Sequence, residues 1–316
     1  MPLPKPKPRE TLPILPGVPQ SYAKHPAAPR GLFSGSKLLK AINSPIRAKR
    51  FKGTVKAASK TSLGAVEQRE VRRQANAALQ AEGMVSKDIV GNLTKAEQLK
   101  VIKSTRVDGL HWKVTGEMAL EQDALDQIAR AMKGINTIED HFGDLGGLKT
   151  LLHETAHSAS PMGPYLYRGF IVALEEATTE MAARKTLTKL MFKLTGKTFL
   201  VEGTEGFILN TKTGFDTTIG TYKKYVKQMT SVLQSFSLEK TGKVLAEDVA
   251  LDILADASIA MRRGTKLLTD ADDYIDSFAE QLIGRLPGMK NVDDVITKRG
   301  KLKASYVPAK RKRRRR

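Results

Sequence analysis

The sequence predicts a mainly α-helical protein with a small β-sheet. Long stretches place apolar residues at helical spacing, whereas apolar runs that alternate as strands do are few and short. Hydrophobic residues are 41% and charged residues 27% of the chain, a balance that supports a buried core and excludes wholesale disorder. There is no cysteine, which excludes disulfides, thiolate metal sites and cysteine nucleophiles.

The helices follow in order. Residues 62–82, rich in Ala, Gln, Glu and Arg, read as an exposed helix. Thr94 with Glu97 three positions later is a capping-box signal for a helix reaching residue 103. Residues 107–115 read as a strand pair or turn, and 122–132 as a helix stopped by Gly134. The alternation over 135–138 predicts a short strand, and 140–147 a turn-rich link. Residues 148–158 read as a buried helix ended by Pro161, Gly163 and Pro164. A long helix over about 165–194 follows, then a hairpin within 198–213. The last helices are expected over 217–236, 246–262 and 271–286. No dinucleotide-binding or P-loop glycine motif is present.

Charge divides the chain into three parts. Residues 1–60 carry 13 Lys or Arg against Glu10 alone, and also 10 of the 14 prolines. Residues 298–316 carry 11 Lys or Arg and no acid. The total of +20 therefore resides in the ends, and 61–297 is left slightly negative at −3. We expect a flexible Pro-rich basic segment over 1–60, a folded region over 61–297 and a flexible basic tail over 298–316. The run Lys310, Arg311, Lys312, Arg313, Arg314, Arg315 and Arg316 suits phosphates or an acidic protein. No aromatic interleaves that run, so nucleic-acid binding through it would ignore sequence. No apolar run is long enough to span a membrane, and the N-terminus lacks the apolar core of a secretory signal. Localisation in a phage virion or host cytoplasm is the expectation.

The chemistry concentrates in His153-Glu154-Thr155-Ala156-His157. On a helix, histidines four apart project from one face, one turn from each other, as two ligands of a tetrahedral Zn²⁺ require. Glu154 lies beside the first ligand and suits the general base for an attacking water. The next helix contains Leu174-Glu175-Glu176-Ala177-Thr178-Thr179-Glu180-Met181, with 18 residues between His157 and Glu176.

In these residues the sequence resembles the gluzincin zinc metallopeptidases, whose pattern is H-E-x-x-H, a spacer and a glutamate on a second helix. It is similar in layout to metallopeptidase-like proteins encoded by phages and prophages. The resemblance covers roughly residues 135–185. It implies a zincin-like fold followed by a helical bundle, with Zn²⁺ held by His153, His157 and Glu176. It further implies Glu154 as general base and Glu180 orienting a ligand histidine. The strand at 135–138 would be the edge strand that holds extended substrate. The motif that reads a substrate's free amine in the aminopeptidase branch is absent. Tyr165, Tyr167, Tyr222 and Tyr225, or Arg168 electrostatically, are candidates to stabilise the oxyanion.

Other readings of the same residues stand beside this one. Glu175, Glu176 and Glu180 suit a solvated helix face paired with Arg168 and Arg184. His25, His111 and His141 read as structural or exposed, and Trp112 as a core anchor. The leading expectation is a zinc-dependent metallopeptidase. The alternative is a nucleic-acid-associated structural protein of a virion, with a structural or vestigial zinc site.

Overall fold

A computed structural model of the chain describes residues 54–57, 63–88, 99–103, 108–113, 116–133, 142–163, 169–195 and 222–292. They form four strands and seven helices. In chain order these are β1 (Thr54–Ala57), α1 (Ala65–Gln80), β2 (Leu99–Lys103), β3 (Gly109–Trp112), β4 (Glu117–Glu121), α2 (Gln122–Met132), α3 (Phe142–Ala159), α4 (Gly169–Thr195), α5 (Lys223–Thr241), α6 (Glu247–Arg263) and α7 (Ala271–Leu282). The protein is mainly helical with a small sheet, and none of its described helices is long and apolar enough to cross a membrane.

The sheet runs in the order β1-β2-β4-β3. β2 and β4 are parallel, with Leu99 opposite Met118, while β1 and β3 flank them antiparallel. β3 and β4 form a hairpin closed by Trp112 and Gly116, where Gly116 adopts a positive φ of 65°. β2 corrects the helix expected up to residue 103. Its Leu99, Val101 and Ile102 are buried, and β1 and β4 satisfy its backbone, which outweighs a capping signal at Thr94. β1 likewise falls inside the segment 1–60 that was expected to be flexible, so the folded region begins before residue 61.

α2 is amphipathic, burying Ala124, Leu125, Ile128 and Ala129 against α3. α3 starts earlier than the sequence suggests, since Phe142 to Gly147 is helix and not a link. The glycines there serve packing. A Cβ at Gly147 would lie 2.5 Å from the Ala124 carbonyl oxygen and 2.8 Å from Gln127 Cβ, so only glycine lets the two helices approach this closely. α3 is buried on nearly every side, through Leu148, Leu151, Leu152 and Ala156.

α4 packs on α3, and α1, α5 and α6 pack on α4. One continuous hydrophobic core runs from Leu99 and Leu120 in the sheet through Leu152 and Leu174 to Leu254 and Phe278. α5 ends at Gly242 in the left-handed region, φ 72°, where its amide bonds back to the Leu238 carbonyl. α7 begins at Asp270, whose side chain accepts from the amides of Asp272 and Asp273. The segment after α3 is tied to the loop before α7: Gly163 N–H donates to Leu268 O at 2.8 Å, and Leu268 N–H to Pro161 O at 2.7 Å. The expected strand at 135–138 and hairpin within 198–213 lie outside the described residues.

Candidate metal centre

The i,i+4 spacing on α3 sets the His153 and His157 rings edge to face, with centroids 4.8 Å apart. α4 crosses the same face and delivers Glu176. His153 Nε2 lies 3.0 Å and His157 Nε2 3.7 Å from Glu176 Oε2. Among the described residues, these three side chains form a group whose ligand atoms all lie within 4.8 Å of one another. The group is 0% exposed at the His153 side chain and 14% at His157, so solvent reaches it from the His157 side.

Each histidine is also held from behind. His153 Nδ1 lies 2.9 Å from Glu180 Oε2, and His157 Nδ1 lies 2.9 Å from Glu175 Oε1. A carboxylate on Nδ1 fixes the ring and leaves Nε2 aimed at the common point. Glu180 is tied in turn to Lys149 Nζ at 3.1 Å and Arg184 Nε at 2.7 Å. Glu175 accepts from the hydroxyls of Ser160 at 2.9 Å, Thr179 at 3.0 Å and Tyr274. Glu175, Glu176 and Glu180 are all buried, which corrects the reading of them as a solvated helix face. Arg184 does pair with Glu180, one turn along α4.

Oppositely charged partners offset the cost of burial within the cluster. Burial opposes ionisation of Glu176, yet hydrogen bonds from His153 and His157 bring its carboxyl down to about 2. Burial works against protonated His157 as well, but Glu175 and Glu176 push it up to about 10. Glu180 and Glu175 are held below the ordinary carboxylate range against the cost of burial, Glu180 by Lys149 and Arg184, Glu175 by Arg262 and His157. The metal-free cluster thus favours a protonated His157, and the carboxylates shift His153 in the same direction. Two imidazole nitrogens and a carboxylate, each imidazole backed by a second carboxylate, are a donor set that fits Zn²⁺.

Glu154, next to His153 on α3, lies against β3. A Cβ on Gly109 would sit 2.5 Å from both Cγ and Oε1 of Glu154, so the missing side chain at 109 makes the space for that carboxylate. Glu154 is only 3% exposed, and burial raises its pKa. β3 and β4 both lie beside α3, and β3 ends the sheet among the described residues. Its register continues the pattern. His111, two residues on, pairs with Asp88 at 3.2 Å, and Lys113 reaches the carbonyls of His157 and Ser158 at 3.0 and 3.1 Å. His111 is therefore a buried, ion-paired histidine, with a side chain 2% exposed. Trp112 is half-buried, with Lys100 Nζ 6.0 Å from its ring centroid.

Tyr222 stacks on His153, centroids 4.0 Å apart and planes 13° from parallel, with Lys149 Nζ 5.5 Å from the Tyr222 ring centroid. Its hydroxyl is pushed well above the usual phenol range by burial and by the charges of Glu176 and Glu154. Of the oxyanion candidates, Tyr222 stacks directly on a histidine of the centre, and the Tyr225 ring lies 6.4 Å from that of Tyr222. Tyr165, Tyr167 and Arg168 lie outside the described residues, as do His25, His141 and the run Lys310 to Arg316.

Sequence reasoning missed Glu175, Lys149, Gly109, Arg262 and Tyr274. Glu175 had a local signal, because a carboxylate adjacent to Glu176 and four residues before Thr179 can turn toward the second histidine. The partners from α6 and α7 had none. Comparison of the chain with protein-family models, with curated proteins and with solved structures finds no match.

Proposed function

We propose that this protein is a zinc-dependent metallopeptidase of the gluzincin type, with a zincin-like fold around α3, α4 and the sheet. The observation that carries the reading is the convergence of His153 Nε2, His157 Nε2 and Glu176 on one point, with Glu180 and Glu175 behind the two rings. His153, His157 and Glu176 would hold the ion. When bound, the ion supplies Lewis-acid polarisation of a peptide carbonyl and acidifies a water.

The remaining work belongs to this chain's side chains. The Glu154 carboxylate takes a proton from the attacking water and returns it to the departing amine nitrogen. Its raised pKa suits a group that must hold and then release a proton. The edge of β3, last in the sheet among the described residues, would offer backbone donors and acceptors to an extended peptide laid along α3. Tyr222, whose ring stacks on His153, is our candidate to donate a hydroxyl toward charge developing on the carbonyl oxygen.

The test is zinc content per chain in protein purified without chelator, beside His153→Ala, Glu176→Ala and Glu154→Gln. The expected result is about one zinc in wild type and in Glu154→Gln, loss in the two ligand variants, and peptide-library cleavage by wild type alone. Absence of zinc from wild type after reloading at neutral pH would overturn the reading, and cleavage by Glu154→Gln would overturn the mechanism.

The basic ends support a second reading, a virion-associated structural protein that binds nucleic acid without regard to sequence. It predicts salt-dependent DNA binding that disappears when residues 1–50 and 298–316 are removed, a truncation that spares β1. Binding that survives the truncation would refute it. The two roles are compatible, since such ends can tether a peptidase to packaged nucleic acid or to an acidic protein.

A further inference from the structure

The carbonyl end of α3, just past the second ligand, meets α6 and α7 through a set of fully buried polar groups. Arg262 of α6 is 0% exposed. Its Nη1 donates to the Ser258 carbonyl at 3.1 Å, and its Nη2 to the hydroxyls of Thr178, at 3.3 Å, and Thr179. Thr179 passes its own hydroxyl hydrogen to Glu175 Oε1 at 3.0 Å, the oxygen that faces His157 Nδ1. The other oxygen, Oε2, accepts from Tyr274 of α7 and lies 3.6 Å from Arg262 Nη2. One carboxylate therefore stands between a ligand histidine and two residues about a hundred positions further along the chain.

We propose that Arg262 and Tyr274 are positioning residues of the metal centre, holding Glu175 so that His157 presents Nε2, and that α6 and α7 thereby complete the site. This rests on the metal-centre reading above. A buried carboxylate with every lone pair occupied has one orientation, and a ring bonded to it inherits that orientation. Ordinary core packing of α6 and α7 would require no such polar chain, because Leu254, Ile275 and Phe278 already lie in the shared hydrophobic core, with α6 packed on α4 and α7 on α6. Stability alone would be served by apolar side chains at 262 and 274.

The experiment measures zinc affinity of the full chain by competition with a chromophoric chelator, together with the melting temperature of the metal-free form. It also records the visible absorption of the Co²⁺-loaded protein, which reports ligand geometry. Tyr274→Phe removes one hydrogen bond and keeps the ring; it should weaken zinc by about threefold to tenfold and alter the Co²⁺ spectrum. Arg262→Met should weaken zinc by about 10- to 100-fold, and Arg262→Lys, which keeps the charge without the planar fork, should recover part of that loss. Phe278→Leu, one turn along α7 from Tyr274 and apart from Glu175, is the control. It should lower the melting temperature and leave zinc affinity within about twofold of wild type.

Zinc affinity within twofold of wild type in Tyr274→Phe, with an unchanged Co²⁺ spectrum, would overturn the inference. So would an equal loss of affinity in Phe278→Leu. Should Arg262→Met fail to fold, Tyr274→Phe carries the test. A wild-type protein that binds no zinc removes the metal-centre reading and this inference with it, an outcome distinct from variants that bind as well as wild type.

Discussion

Replacing Gly109 by alanine adds one methyl group where Glu154 already is. The new Cβ would lie 2.5 Å from Glu154 Cγ and Oε1 and 2.8 Å from Cδ. Carbon contacts are comfortable at about 3.5–4.0 Å, so about 1 Å of overlap must be relieved. The α3 backbone has little freedom to retreat, because residues 153 and 157 on the same turns are locked to Glu180 and Glu175. Relief comes from a swing of the Glu154 carboxylate or an outward shift of β3, which only β4 holds laterally. Overpacking of this kind costs about 1–3 kcal/mol of stability. A misplacement of about 1 Å in a group that moves a proton costs about 100-fold in rate. If the protein is the zinc peptidase proposed above, Gly109→Ala should therefore keep the wild-type zinc content, melt a few degrees lower, and lose about two orders of magnitude in kcat. The assays are metal analysis, calorimetry and steady-state cleavage on the same preparations. A variant with wild-type zinc content and more than half of wild-type kcat would refute the argument that Glu154 and the edge strand share this space.

Three further outcomes are expected. Gly147→Ala pushes a Cβ into the Ala124 carbonyl and should destabilise the α2–α3 contact by about 1–3 kcal/mol in denaturant unfolding, with zinc content unchanged. Lys87→Met removes a buried ammonium that donates to the carbonyls of Ala159, Arg262 and Val85; stranding those acceptors should cost about 1–3 kcal/mol, read by the same unfolding curves. Metal binding should release protons. His157 is raised to about 10 and so carries a proton at neutral pH in the metal-free protein, and His153 is shifted in the same direction. Raising the pH removes that competitor, so apparent zinc affinity should climb by about tenfold per unit for each proton displaced between pH 7 and 9. Calorimetry in buffers of different ionisation heat counts those protons, and a count of zero would contradict the described ion pairs.

The helices were legible in the sequence to within a few residues wherever an apolar stripe was continuous. Residues 122–132 are the case where expectation and structure coincide at both ends, because Leu125, Ile128 and Ala129 repeat at helical spacing and the flanks are polar. The strands were legible only in part. β2 carries Lys100 and Lys103 three positions apart, breaks strict alternation at Val101-Ile102 and sits behind a helix-like capping signal, and its identity as a strand depends on β1 and β4, whose pairing no local pattern announces. The glycines of 143–147 look like a loop in one dimension and allow close helix packing in three.

At the candidate site the division has the same origin. That His153 and His157 share a face, with Glu154 beside them and Glu176 and Glu180 one turn apart on another helix, follows from the 3.6-residue period and was readable from the sequence. That Glu175 faces His157, that Gly109 makes room for Glu154, and that Arg262 and Tyr274 close the polar chain depends on how β3, α4, α6 and α7 pack around α3. Tyr274 and Glu175 are 99 positions apart, and a contact at that separation is set by the shape of the shared core, since helical periodicity relates residues only within a few turns.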